Sequence, residues 1–256
     1  MPLLFDPDQT IVITDFDETL TLPQANGETV SLMSILRARD YLSPTVTKKL
    51  YQHRSYYHPL EKNPQMSRLE KVPLMEEWFQ KVFQTLGKGG LTQTMIEQVA
   101  RDPVIELRPQ AAAFLRLMAE QHIPVIICSA SGLGGNAIPV FLRDRGLLTD
   151  NITIVSNQLI FDKHGHFQKA AQPLVTSVNK NGKIFLDYGF YQKNSKKECL
   201  LLGDSLDDVN MADGLCFDKL LKIAFTDKDH AIYNQVYDLV LDYHADFSLI
   251  LNLFQS

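Results

Sequence analysis

The chain has 256 residues, of which 45% are hydrophobic and 21% charged, enough apolar material for one large domain or one domain carrying an insertion. A formal net charge of −5 creates no field that would gather nucleic acid or an anionic membrane, so neither is an expected partner. Cys128, Cys199 and Cys216 are too few and too scattered for a disulfide framework or a four-ligand zinc site, and they read as reduced core residues. The start of the chain lacks a basic region, Asp6 and Asp8 interrupt its apolar residues, and no stretch approaches the roughly 18 apolar residues of a membrane span. The expectation is a cytoplasmic protein, a monomer or weak dimer.

In chain order, Ile11-Val12-Ile13 reads as a first short strand. From Pro23 to Asp102 no convincing strand is visible. That stretch carries instead an amphipathic helix with Leu74, Met75, Trp78, Phe79, Val82, Phe83 and Leu86 on one stripe. Pro109 then opens a helix bearing Phe114, Leu115 and Met118, which leads into a strand at Pro124–Cys128. Further apolar runs come at Ile152–Val155, Cys199–Leu202, Leu220–Ala224 and Leu239–Leu241. Most lack period-2 alternation, as strands buried on both faces do. The fold class expected is α/β, a Rossmann-like, mainly parallel sheet. Residues 1–22 and 103–256 would form its core, and 23–102 a helical cap inserted after the first strand, above that strand's carboxyl end.

Chemistry concentrates where strands end. Asp15-Phe16-Asp17-Glu18-Thr19-Leu20-Thr21 comes directly after the first strand. Two carboxylates separated by one residue can point into one crevice, where they repel unless a cation lies between them. One could attack phosphorus while the other serves as acid and base. Alone, the pair could equally be an acidic turn. Gly203-Asp204-Ser205-Leu206-Asp207-Asp208 repeats the placement after Cys199–Leu202. Asp204 would be a metal ligand and Asp208 would bind through water or orient other ligands, while Asp207 reads as a helix cap. Between the two clusters, Ser129-Ala130-Ser131-Gly132-Leu133-Gly134-Gly135 offers a hydroxyl and free N–H groups to a phosphate oxygen, and Lys180 offers a fixed positive charge. Taken singly, the first is an ordinary strand-to-helix turn and the second a surface lysine.

The order Asp-x-Asp, Ser, Lys, Gly-Asp-Ser-x-x-Asp resembles the haloacid dehalogenase superfamily of phosphatases. The resemblance implies Asp15 as nucleophile and Asp17 as general acid and base, with Ser129, Ala130 and Lys180 holding the phosphoryl group. It also implies Mg2+ as cofactor, held by Asp15, Asp17, Asp204 and Asp208. Uncatalysed phosphate-monoester hydrolysis is among the slowest reactions enzymes accelerate, by up to about 10²¹-fold, which makes a covalent intermediate valuable.

Tyr56-Tyr57-His58-Pro59-Leu60-Glu61-Lys62-Asn63-Pro64, Leu69 to Trp78, Val155-Ser156-Asn157, Asn179-Lys180 and Leu201 to Gly214 are similar to the cytosolic 5'-nucleotidase III family. What this implies is hydrolysis of pyrimidine nucleoside 5'-monophosphates such as CMP and UMP, with Glu61 reading the base and Tyr57 offering a stacking face. For Trp78 and Phe79, on the apolar stripe, core packing is the expected role. The chain departs from the family where Ser-Ala-Gly and then Gly-Asp are usual: it has Ser129-Ala130-Ser131 and then Gly134-Gly135, with no aspartate. Residues 23–46 match the family poorly. A phosphatase for phosphoserine or a sugar phosphate, and an idle nucleotide-binding module, are the alternatives.

Overall fold

A computed structural model describes residues 5–25, 28–189, 196–228 and 230–254. In chain order its strands are β1 (Thr10–Thr14), β2 (Gln24–Ala25), β3 (Glu28–Thr29), β4 (Val125–Ser129), β5 (Ile152–Ser156), β6 (Leu159–Phe161), β7 (Phe167–Ala170), β8 (Glu198–Gly203), β9 (Lys219–Phe225) and β10 (Leu239–Leu241). The helices are α1 (Leu32–Ala38), α2 (Pro44–Glu61), α3 (Arg68–Lys88), α4 (Gln93–Ala100), α5 (Ala111–Glu120), α6 (Gly134–Arg143), α7 (Gly182–Asp187), α8 (His230–Tyr233) and α9 (Ser248–Asn252).

All six apolar runs become strands of one sheet, in the order β10-β9-β8-β1-β4-β5, and every pair within it is parallel. The chain builds outward from β1 through β4 to β5, then returns to the other side of β1 to lay down β8, β9 and β10. The order therefore reverses between β1 and β8, the point at which a doubly wound sheet opens a crevice at its carboxyl edge.

Each face of this sheet packs a separate apolar layer, which is why alternation is missing from the sequence. Along β1, Val12 faces one layer with Val125, Ile127, Leu200 and Leu202, while Ile11 and Ile13 face the other with Ile126, Cys128 and Leu201. The first layer continues without a break into the helices of the 32–100 stretch, through Leu32, Leu36, Leu50, Phe83 and Leu86. The expected amphipathic helix is α3, started by a capping box in which Ser67 Oγ accepts from the Glu70 N–H while Glu70 accepts from the Ser67 N–H. Its stripe buries Met75, Val82, Phe83 and Leu86.

Three differences from the sequence expectations emerge. The 23–102 stretch is not free of strand, since β2 and β3 form a two-residue antiparallel ladder too short for any periodicity to show. A second hairpin, β6–β7, stands apart from the main sheet, with Leu159, Phe161 and Phe167 turned into the core. Cys128 and Cys199 are buried, but Cys216 is exposed, in an irregular segment before β9. Among the described residues no helix is long and apolar enough to cross a membrane.

Candidate active site

The site is built at the carboxyl edge around the switch between β1 and β8. Register places Thr14 opposite Leu202, and the Asp15 N–H donates to the Leu202 carbonyl at 3.0 Å, so Asp15 leaves its strand beside the end of β8. Two residues beyond Leu202 comes Asp204. Gly203 between them must be glycine, because a Cβ there would lie 2.5 Å from Asp208 Cβ and 2.8 Å from the Tyr237 hydroxyl.

Asp208 organises the loop after β8. Its Oδ2 accepts from the N–H groups of Asp204 and Ser205 at 3.2 and 3.0 Å and from the Ser205 hydroxyl at 2.9 Å. The hydroxyls of Tyr233 and Tyr237 donate to the carbonyls of Asp204 and Ser205, holding the same loop from outside. Asp207, expected as a helix cap, makes no side-chain cap bond; the residues after it, Asp208–Ala212, form a single 3-10 turn, too short to present a helical N-terminus.

Lys180 reaches this edge from the loop preceding α7. Its ammonium donates to Asp15 Oδ1 at 2.7 Å, contacts Asp208 and lies 3.5 Å from the Cys128 carbonyl. Carboxylate oxygens of Asp15, Asp204 and Asp208 all lie within 4.8 Å of one another. Three carboxyl groups gather where a single ammonium pairs with two of them, a donor set of hard oxygens that fits a small divalent cation. Asp17 is not in that cluster, and its Oδ1 is buried with no hydrogen-bond partner among the described residues.

Burial and mutual repulsion dominate the electrostatics. Burial pushes the Asp15 carboxyl up to about 6, opposed by Lys180. Burial, with the charges of Asp15 and Glu18, pushes Asp17 up to about 8. Asp204 is raised well above the carboxylate range by burial and by Asp208, Asp15 and Glu18. For Asp208 burial acts upward too, but Lys180 and the Ser205 bonds outweigh it and hold this group ionised. Burial works against the Lys180 charge, yet Asp15 and Asp208 keep its ammonium well above the usual lysine range.

Ser129 ends β4, adjacent to β1, and its buried hydroxyl accepts from the Ser131 N–H at 3.1 Å. Ala130 comes next in the loop. Behind them Asn157, fully buried, donates to the carbonyls of Ser131 (3.2 Å) and Val175 (2.7 Å) and ties this loop to the segment carrying Lys180. Gly134 approaches Ser156 so closely that a Cβ would sit 2.1 Å from its Oγ.

Glu61 is the last residue of α2, partly buried, with its charge felt at Lys62, His58 and Asp207. Lys62 also feels the charges of Asp204 and Asp208, so this end of α2 lies within electrostatic reach of the acidic cluster. Tyr57, one turn earlier and expected to offer the base a stacking face, is only 1% exposed, so its ring is not available to one. Its ring stacks on Trp78 with centroids 5.8 Å apart, its hydroxyl accepts from Lys81, and it packs with Met75 and Val178. Phe79 tilts against Trp78 and Phe83 in the same seam. Sequence reasoning missed Glu18, Arg108 and the tyrosines Tyr233, Tyr237 and Tyr243, all of which bond to loops of the site.

An open parallel sheet with acidic residues converging at its switch point defines an α/β core of the haloacid dehalogenase type. Solved structures share it: a phosphoserine phosphohydrolase-like protein from Francisella tularensis superposes with a TM-score of 0.62 at 17% identity, covering 96% of this chain and 100% of that one, which speaks for the fold alone. The crystal structure of cytosolic 5'-nucleotidase IIIB bound to cytidine superposes more fully, with a TM-score of 0.84 at 26% identity over 97% of this chain and 85% of that one. The human 7-methylguanosine phosphate-specific 5'-nucleotidase is 31% identical over 97% of this chain and 84% of its own length, and the Xenopus laevis 7-methylguanosine phosphate-specific 5'-nucleotidase B is 32% identical over 90% and 81%. The sequence pattern of the pyrimidine 5'-nucleotidase (UMPH-1) family matches residues 18–255, and the chain belongs to that family. It is a 5'-nucleotidase, a phosphoric monoester hydrolase.

Proposed function

We propose that this enzyme hydrolyses nucleoside 5'-monophosphates, CMP and UMP in preference, through a phospho-aspartate at Asp15, in the cytoplasm and as a monomer or weak dimer. The observation that carries the reading is the meeting of Asp15, Lys180, Asp204 and Asp208 at the sheet's switch point. With its pKa near 6, Asp15 is ionised at pH 7, the form in which an oxygen can attack phosphorus. With its pKa near 8, Asp17 holds a proton there and can deliver it to the departing 5'-oxygen. Two neighbouring carboxyls with different proton affinities divide the roles of nucleophile and acid. In the second half Asp17, now a base, takes a proton from water, whose oxygen attacks phosphorus; the bond to Asp15 breaks and phosphate leaves.

Lys180 balances charge on the phosphoryl oxygens, and Ser129 with the N–H groups around Ala130 holds them in place. Asp15, Asp204 and Asp208 would hold Mg2+, which supplies further charge neutralisation when bound; Asp17 would sit beside that group rather than bind through its carboxylate. Residues 23–102 act as the cap. Glu61 reads the base by accepting from the exocyclic amine of cytosine or the N3–H of uracil, and Tyr57, wedged against Trp78, fixes the turn of α2 that presents it. The names of the relatives support a second reading, 7-methylguanosine monophosphate, whose amino group offers the same carboxylate a donor.

The test is phosphate release from CMP, UMP, AMP, 7-methyl-GMP, phosphoserine and p-nitrophenyl phosphate, with Mg2+ and with EDTA. Release from CMP and UMP that EDTA abolishes is expected, and Asp15→Asn should lower it by about 10⁴-fold or more with the fold intact. Preference for 7-methyl-GMP would favour the second reading; preference for phosphoserine, or activity in Asp15→Asn, would defeat both.

A further inference from the structure

Outside the acidic cluster, the most unusual buried group is Arg108. It is 1% exposed, and its bonds all end on backbone carbonyls: Nε on Thr19 at 2.9 Å, Nη2 on Glu18 at 2.6 Å, and Nη1 on Tyr243 and Ala245 at 2.7 and 2.9 Å. No carboxylate among the described residues forms an ion pair with it. Its guanidinium lies over the Phe225 ring, 4.1 Å from the centroid. Burial pushes its pKa down to about 10, against the opposing charges of Asp204, Tyr243, Asp242 and Glu18, so the ion is held buried at a cost.

Two of those carbonyls belong to the turn immediately after Asp17. Glu18 has φ of +65°, the left-handed region that side-chain-bearing residues avoid. Around it the turn is fastened on every side. The Glu18 N–H donates to Thr21 Oγ1, its carboxylate accepts from the Tyr243 hydroxyl at 2.7 Å, and Arg108 binds its carbonyl. The backbone of Arg108 joins in, its N–H donating to the Leu20 carbonyl. Such a conformation persists only where the surroundings over-determine it, and positions of this kind mark functional sites.

We propose that Arg108 is a positioning residue for the hydrolytic reaction, clamping the Glu18–Thr19 turn against the segment after β10 and so fixing the backbone from which the Asp17 side chain projects. This rests on the roles assigned to Asp15 and Asp17 above. Planarity matters: five donors in a rigid fork can satisfy several carbonyls at fixed angles, which the single ammonium of lysine cannot. A clamp of this kind leaves substrate affinity alone and acts on the geometry of proton transfer.

The experiment compares wild type, Arg108→Lys and Arg108→Met by steady-state kinetics on the best substrate of the panel, with thermal melts and hydrogen–deuterium exchange of the full chain. The expected result is a fall in kcat of about 100-fold for Arg108→Met, the scale of a misplacement near 1 Å, with KM within about twofold and partial recovery in Arg108→Lys. Exchange should quicken in residues 16–22 and stay unchanged in β4. Unaltered kcat, or a loss matched by the unfolded fraction with faster exchange throughout, would overturn the proposal. Were wild type to turn over no phosphate at all, the reading of the reaction would fall; faster exchange confined to 16–22 would then still uphold the clamp, and uniform exchange would remove it.

Discussion

Replacing Asp17 with asparagine should make the protein more stable while it abolishes activity. The native state keeps a proton on Asp17 up to about pH 8, whereas the unfolded chain releases it near the ordinary value of 3.8. Because the native state binds more protons in that interval, its stability falls as pH rises from about 4 to 8 and levels off above. At ~1.4 kcal/mol per pH unit, the cost accumulated by pH 7 has a ceiling of about 4 kcal/mol. Asp17 is only partly buried as a whole residue, and water at its exposed edge screens the charge, so about half of this should survive. Asparagine keeps the shape of the side chain and carries no charge. In EDTA at pH 7, Asp17→Asn should therefore gain about 2 kcal/mol, a rise in Tm of about 4–8 °C. The gap should vanish near pH 4, and Mg2+ should narrow it by making an ionised Asp17 tolerable. Asp204, whose carboxyl is also raised, imposes its own pH dependence on both proteins and cancels in the difference. A variant no more stable than wild type, or a gap that does not close toward pH 4, would refute the reasoning.

Three further outcomes are expected. Gly134→Ala forces a Cβ to within 2.1 Å of Ser156 Oγ and should cost roughly 1–3 kcal/mol, read as a fall of several degrees in Tm. Glu61→Gln should raise KM for CMP by roughly tenfold or more and leave turnover of p-nitrophenyl phosphate, which has no base, unchanged; equal effects on both would remove Glu61 from base reading. Arg68 at the start of α3 donates to the Val178 carbonyl at 2.6 Å and pairs with the half-exposed Asp213, so Arg68→Ala should cost about 1 kcal/mol or less in stability. Because Val178 lies two residues before Lys180, the same variant should lower kcat/KM several-fold, more than so small a loss of stability accounts for.

The amino-acid order by itself determined the six strands of the main sheet and the position of the acids. Both are local properties: a strand buried on two faces is a continuous apolar run, and the residue after it lies at the sheet's edge whatever else the chain does. Asp15 after Ile11–Thr14 and Asp204 after Cys199–Gly203 were legible on that ground. The helix α3 was legible by its stripe and by Ser67 and Glu70 at its start. The two short hairpins were not, since ladders of two to four residues leave no period to read.

Only the tertiary structure decided which side chains serve the site through the backbone. Arg108, Asn157, Tyr233 and Tyr237 all bond to carbonyl groups of distant loops, and a carbonyl is the same on every residue, so no pattern in the sequence announces the partner. The same holds for the charge balance around Asp15. Lys180 lies 165 positions away along the chain, and the proton affinities of Asp15 and Asp17 depend on how much water folding removes from between them.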